Sequence, residues 1–377
     1  MIPSDLHIKY APILHFARGE RFFPMRADHF LSYAALFGKD GEAPLVSQGE
    51  VRIHHLMRVA SGETFLRSVM QGPQRGIEVA REWGGDTLRL LYNWSRSPTC
   101  AFSEAAAKRL YDWFSLKTAE ATRHFWWNRL LMGDPEAERA DLPRFRLPPT
   151  VRDAAVDNYE RSQGPRPAYS YYYRIAPMGN YVVLQYWFFY AYNDWANSFG
   201  GFNDHEGDWE GLQLFFRRQG GRLIEPPLQI CYLGHHSRIS KPWEHHDIQR
   251  TGTHPHVYVA AGSHASYPER KPYTIMALYN LVDYATGDGL TLSHDEWQGR
   301  INLEDALWLQ NYLGSWGTRY WLPLAWLQRA LFGLAALIPG EIGLPGVSAP
   351  RGPRYNDEGQ ARETWADSLR FAGLLES

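Results

Sequence analysis

The sequence predicts an α+β protein: a jelly-roll-like antiparallel β-sandwich core carrying a large α-helical insertion near its N-terminus. Three observations predict it. The chain has 377 residues, more than one ordinary core needs, which suits two modest domains or one core with a large insertion. From residue 167 onward, short runs rich in Tyr, Phe, Trp and Val alternate with Gly, Pro and Asn signals, as strands and turns do. Before that, Ser103–Met132 reads as the strongest helix, with Ser103 as N-cap, an Ala run after it and Gly133 as stop.

The elements follow in chain order. Residues 1–30 show alternating apolar positions at Ile8, Tyr10, Ile13 and Leu14, so they are expected to lend a strand to a sheet built elsewhere. Residues 31–165 read as the helical insertion, with a second helix over Arg75–Trp94 interrupted at Gly84 and Gly85, and a boundary near 150–166 after Pro143, Pro148 and Pro149. Residues 166–320 hold the sandwich, whose first hairpin turns at Pro177–Asn180. Residues 321–377 form an apolar helix and a tail. The 15 residues between Pro323 and Pro339 make roughly 22 Å of helix at 1.5 Å per residue. A bilayer core of about 30 Å is too thick for that. The stretch 321–347 is therefore a buried helix or one lying in a membrane surface.

Composition excludes more than it selects. With 44 % hydrophobic and 21 % charged residues the chain is not disordered. The 39 Lys and Arg against 41 Asp and Glu leave a net charge of −2, too small a field to collect nucleic acid. Two cysteines provide no disulfide framework. The N-terminus lacks a basic region followed by an apolar run, so no secretory signal is expected. A cytoplasmic or peripheral-membrane protein without a spanning helix is the expectation. Aromatic residues, at 15 %, favour cross-strand ladders or a stacking wall for a sugar or lipid.

Histidine is uneven. Eight of the fifteen fall within residues 205–264, which suggests imidazoles converging on a metal or an acid–base site. The segment Tyr192–Glu210, YNDWANSFGGFNDHEGDWE, adds Asp194, Asp204, His205, Glu206, Asp208 and Glu210. Asp208 and Glu210 are two apart, so in a strand both carboxylates point to one face and Trp209 to the other. Two such acids repel and need a cation. No Lys lies between Lys117 and Lys241, so a divalent ion held by Asp194, His205, Asp208 and Glu210 is the simplest answer. That mostly oxygen set suits Mg²⁺, Ca²⁺ or Mn²⁺ better than Zn²⁺.

The second element is HPHVYVAAGSHASYP, residues 254–268, where Gly262 releases a turn carrying Ser263, His264, Ser266 and Tyr267. No Gly-x-Ser-x-Gly elbow accompanies Ser263, which argues against a serine hydrolase. His264, Glu206 and His256 are the candidates for moving protons at metal-bound water. His264, with one of His235 or His256, would complete the pocket. Tyr192, Trp195, Trp209, His235, Ser266 and Tyr267 are the expected ligand-facing residues.

Five motifs carry a resemblance: YAPILHFARGERFFP, LQYWFFYAYND, HEGDWEG, HPHVYVAAGSHASYP and NYLGSWG. In that order they resemble the vacuolar protein sorting-associated protein 62 family over residues 9–30 and 169–320. More distantly, His205-Glu206-Gly207-Asp208-Trp209-Glu210 is similar to the HxxDWE part of the GHRHDWE heptapeptide in necrosis- and ethylene-inducing peptide-like proteins. There the His, Asp and Glu bind a divalent cation at one end of a β-sandwich, an upstream acid helps, and the proteins dock on sphingolipid sugar head groups and damage membranes. The resemblance implies the same roles for His205, Asp208, Glu210 and Asp194. Gly207 stands where that family has a second His, and Asp204 where it has Gly.

The expected function is thus a divalent-cation-binding module that recognises a polar lipid or glycan head group and acts at membranes. The alternative is a metal-dependent hydrolase or lyase in which His264 moves the proton of a metal-bound water.

Overall fold

The structure is a computed structural model describing residues 2–59, 62–80, 147–195, 204–234, 237–276, 281–323, 341–344 and 347–374. Its N-terminal part yields one three-residue strand, β1 (Ile13–His15), between short helices at Leu6–Lys9 and Ala27–Leu31. Three more strands follow, β2 (Ala35–Phe37), β3 (Pro44–Val46) and β4 (Phe65–Arg67), in a sheet of order β3-β2-β4. The region expected to be helical therefore opens with a small sheet and a short helix at Ile53–Arg58, and the stretch Pro149–Gln163 is helical. The expected helix Ser103–Met132 lies outside the described residues, as does Arg75–Trp94 beyond residue 80.

The sequence from 170 builds a meander: β5 (Ser170–Met178), β6 (Tyr181–Asn193), β7 (His205–Gln219), β8 (Arg222–Gly234) and β9 (Ser237–Pro242). Its turns are local chemistry. Gly179 closes the β5–β6 turn at φ +58°, and Gly220 and Gly221 close β7–β8 at +56° and +77°, values that side-chain-bearing residues resist and two-residue hairpins require. Beyond it come β10 (Arg250–Thr251), β11 (His254–Val259), β12 (Ser266–Tyr267), the paired β13 (Lys271–Met276) and β14 (Leu281–Ala285), β15 (Thr291–Leu292) and β16 (Gly299–Asn302). The last pair, β17 (Trp321–Pro323) and β18 (Glu341–Gly343), is antiparallel.

The largest sheet has the order β16-β5-β6-β7-β8-β9, and a second joins β10-β11-β1-β15 with β12 on β11. The expected all-antiparallel pairing is corrected at two places: β1 runs parallel to β11, and β16 parallel to β5. Both join segments far apart in sequence, which antiparallel hairpin signals cannot announce. The strands thus occupy several mixed and antiparallel sheets, with no closed barrel among the described residues.

The central strand β6 is buried on both faces. Val182, Leu184, Tyr186, Phe188 and Tyr190 share an apolar cluster with Leu14, Val257, Val259 and Leu292 of the second sheet. Val183, Trp187 and Phe189 share another with Val151, Ala155 and Tyr159 of the Pro149–Gln163 helix and with Trp365 and Leu369 near the C-terminus. A strand covered on both sides explains why YVVLQYWFFYAYN reads as a nearly continuous apolar run, each large side chain contributing about 1.5–3 kcal/mol by burial. Most of the apolar stretch 321–347 lies outside the described residues. Among those that are described, no helix is long and apolar enough to cross a membrane.

Candidate functional site

The site forms where β6 ends, β7 begins and the turn after β11 folds over them. Tyr190 pairs with Asp208 and Phe188 with Glu210 across the β6–β7 ladder. The period-2 alternation then places both acids on the Tyr190 side. The alternation breaks one residue earlier: Tyr190 belongs to one apolar cluster, Ala191 and Tyr192 to the other. The cause is Gly207, at φ +63°, where a Cβ would lie 2.1 Å from the Trp316 carbonyl oxygen.

That break takes Glu206 out of the site. Its Oε1 accepts from Ser68 N (2.7 Å), Ser68 Oγ (2.6 Å) and Val69 N (2.8 Å), and its Oε2 from Thr318 Oγ1 (3.0 Å). Glu206 is thus an anchor for the β4 edge, not the expected proton carrier, because both of its oxygens are already committed.

The turn after β11 is held by close backbone approach. A Cβ on Gly262, at φ +71°, would fall 1.9 Å from the Asp194 carbonyl oxygen, and Asp194 N donates to Gly262 O at 2.9 Å. Two residues on, His264 sits at φ +59°, the one non-glycine with positive φ among the described residues. Such strain persists only where surroundings impose it. The His264 ring stacks on Tyr190 (3.9 Å between centroids, 3° between planes), its Nδ1 3.2 Å from Asp208 Oδ2 and its Nε2 3.5 Å from Glu20 Oε1. Asp208 Oδ2 also accepts from Asn193 Nδ2 at 3.0 Å and Oδ1 from Trp209 N at 2.9 Å. Glu20 is fastened by Arg21 N, Phe22 N and Gly262 N at 2.9–3.0 Å.

Electrostatics follow from this enclosure. Burial alone would push the fully buried His264 down, but Glu20 and Asp208 outweigh it and raise its pKa to about 9. Burial pushes Glu20 and Asp208 up, and His264 overrides it, holding both below the usual carboxylate range. Asp194 differs. Burial raises it to about 7 although Arg152 Nε lies 3.2 Å from its Oδ2. Burial, then Asp208 and Asp283, drive Glu210 well above its ordinary value against the pull of Arg362. Burial lowers His205 while Asp208 opposes it.

A pH dependence follows. The folded-state pKa of His264 exceeds its unfolded value of about 6.5, so its stabilisation is complete below pH 6.5 and is lost as pH rises through 9. The melting temperature is expected to decline from pH 6.5 to 9.5, and His264→Gln to flatten that limb. A wild-type profile already flat there would show the imidazole to be neutral.

The structure brings Asp194, Asp208 and His264 together, with His205 and Glu210 within electrostatic reach of Asp208. Ser266 and Tyr267 form β12 just after that turn, and Asp283 of β14 accepts from Ser263 Oγ (2.8 Å) and Tyr267 Oη (2.6 Å). His256 is elsewhere. Val257 and Val259 face the core, so His256 points to the opposite face of β11, where its Nδ1 lies 3.1 Å from His15 Nε2 and its Nε2 2.9 Å from Thr251 Oγ1. Tyr192, Trp195 and Trp209 are at most 5 % exposed and form no open stacking wall; Tyr192 Oη donates to Asp204 instead. His235 lies outside the described residues.

Sequence reading missed Glu20, Asn193, Tyr190 and Asp283. Glu20 sits in the RGERFFP motif, but nothing local says that this segment folds against the 262–264 turn. Two buried polar atoms, Tyr190 Oη and Ser266 Oγ, have no hydrogen-bond partner among the described residues, and His264 Nε2 has its ion pair with Glu20. His205, Asp208 and Glu210 do not bring three ligand atoms within 4.8 Å of one another; among the described residues His245, His246 and Asp247 do.

No protein-family model matches the chain, and no curated protein matches it. Among solved structures it is similar to the "Necrosis and Ethylene inducing Protein 2 from the causal agent of cocoa's Witches Broom disease", at 17 % identity and a TM-score of 0.24. The match covers 36 % of this chain and about half, 51 %, of that one. The resemblance to the vacuolar protein sorting-associated protein 62 family rests on its motifs alone, and the necrosis-inducing protein stands as a distant neighbour of partial coverage.

Proposed function

We propose that this protein binds a divalent cation beside Asp208 and Glu210 and through it holds the polar head group of a lipid or glycan. The observation that carries this reading is the crowding of buried acids. Asp208 and Glu210 share one strand face, Asp283 of β14 acts on Glu210, and Asp194 lies close enough to feel both Glu20 and His264. Like charges that crowded take up protons unless a cation replaces them.

The donor chemistry fits a hard ion such as Mg²⁺, Ca²⁺ or Mn²⁺: carboxylates, with the unpartnered hydroxyl of Tyr190, the cross-strand partner of Asp208, near them. Such buried polar atoms call for a ligand or ordered water. The apolar cluster shared by the large sheet and by β1, β11 and β15 supports a β-sandwich with the site at one end. Binding is favoured over hydrolysis because both ring nitrogens of His264 already face carboxylates, Nδ1 towards Asp208 at 3.2 Å and Nε2 towards Glu20 at 3.5 Å, so neither is aimed at a substrate as a general base must be.

Calcium or manganese titrated into the full chain is expected to give a saturable isotherm. Glu210→Gln should weaken it by at least the roughly 10–100-fold that outer-shell changes cost metal sites, without unfolding the protein, since burial, Asp208 and Asp283 already disfavour the carboxylate charge that Gln removes. A wild type that binds neither ion, or a variant that binds as wild type does, ends the cation reading. Vesicles bearing glycosylated lipid should float the protein with the ion and not with chelator; equal flotation would remove the head-group part.

A further inference from the structure

A second constellation lies on the turn between β9 and β10, formed by three consecutive residues, His245, His246 and Asp247. One ligand atom from each lies within 4.8 Å of the others. His246 Nε2 is 2.9 Å from Asp247 Oδ1, His245 Nδ1 is 3.5 Å from Asp247 Oδ2, and the two imidazoles stack at 4.3 Å. Neighbouring side chains in extended backbone diverge; here the turn folds them onto one spot.

The turn is built to keep them there. Trp243 before it and Ile248 after it are 3 % and 5 % exposed and sit in the apolar core. His245 N donates to Pro242 O at 3.0 Å and Ile248 N to His245 O at 2.9 Å. Arg250 grips Glu244 through both guanidinium nitrogens at 3.1 and 2.9 Å, so the one other acid of the turn is engaged elsewhere. Ligands held by a rigid backbone lose little entropy on binding.

We propose that this turn binds one transition-metal ion of the zinc, nickel or copper class. Two imidazoles and a carboxylate are the donor set those ions favour, and three protein ligands leave a position open. The His246 side chain is 88 % exposed, so that position faces solvent and accepts a donor from a second molecule. Lys241 is the counterweight. Its ammonium bonds Asp247 Oδ2, leaving Oδ1 for the metal while opposing the metal's charge. The site is independent of the one beside Asp208 in both position and ligand chemistry.

Zinc chloride titrated calorimetrically into the full chain, in excess calcium to saturate any hard-ion site, is expected to show one zinc equivalent. His246→Ala and Asp247→Asn should abolish it. Lys241→Gln should tighten it roughly tenfold, as removing a unit charge a few ångströms from a divalent ion predicts. Calcium binding should be unchanged in all three variants, which separates this site from the other. No zinc isotherm in the wild type overturns the proposal, and so does one that survives in His246→Ala and Asp247→Asn.

Discussion

Asp208→Ala is expected to lower the unfolding free energy by about 3–5 kcal/mol, the range found when one partner of a buried charged pair is removed. The loss is large because one carboxylate oxygen, Oδ2, serves two buried side-chain donors at once, His264 Nδ1 and Asn193 Nδ2. Both are left unsatisfied at 0 % and 2 % exposure, and an uncompensated buried group costs more than the bond itself contributed. Asp208→Asn keeps the volume and one acceptor, so it should cost less in urea denaturation while still impairing cation binding. Adding His264→Gln to Asp208→Ala should return part of the loss, since the stranded imidazolium is then gone. An Asp208→Ala protein within 1 kcal/mol of wild type would mean that the contact between these side chains is incidental.

Gly262→Ala should be as damaging, for a different reason. The backbone at φ +71° alone costs an L-residue about 1–2 kcal/mol. The added methyl also meets Asp194 O at 1.9 Å, its carbon at 2.4 Å and Trp195 Cα at 2.8 Å. Those are backbone atoms without a rotamer to retreat into, so the turn bearing His264 must move away from Asp194. Gly252→Ala is the control: its φ is +62°, and nothing lies within 4 Å of the added atom. The expectation is a melting temperature for Gly262→Ala well below that of Gly252→Ala, with calcium binding lost as well. Equal melting temperatures would show that the turn does not need this close approach.

Some of this was legible because its physics is local. The strands from 170 to 234 follow from aromatic and β-branched runs punctuated by glycines, and the shared face of Asp208 and Glu210 follows from a period of two along a strand. The same rule does not extend to Glu206, expected as a proton carrier, because the glycine at positive φ beside it breaks the alternation. Trp209 was correctly placed opposite the acids, but whether that face meets water or a second core is a matter of what packs on it. The covering elements include the helix at Pro149–Gln163 and residues near the C-terminus.

What the amino-acid order determined by itself is a β-rich chain with acids and imidazoles concentrated at one strand end, since propensity, turn chemistry and alternation act over a few residues. Which of those groups meet was decided by tertiary structure alone. Glu20 reaches His264 across 244 positions of chain, and β1 finds β11 across a similar span. Contacts of that length are selected by burial and charge balance in the assembled protein, and no short window of sequence carries them.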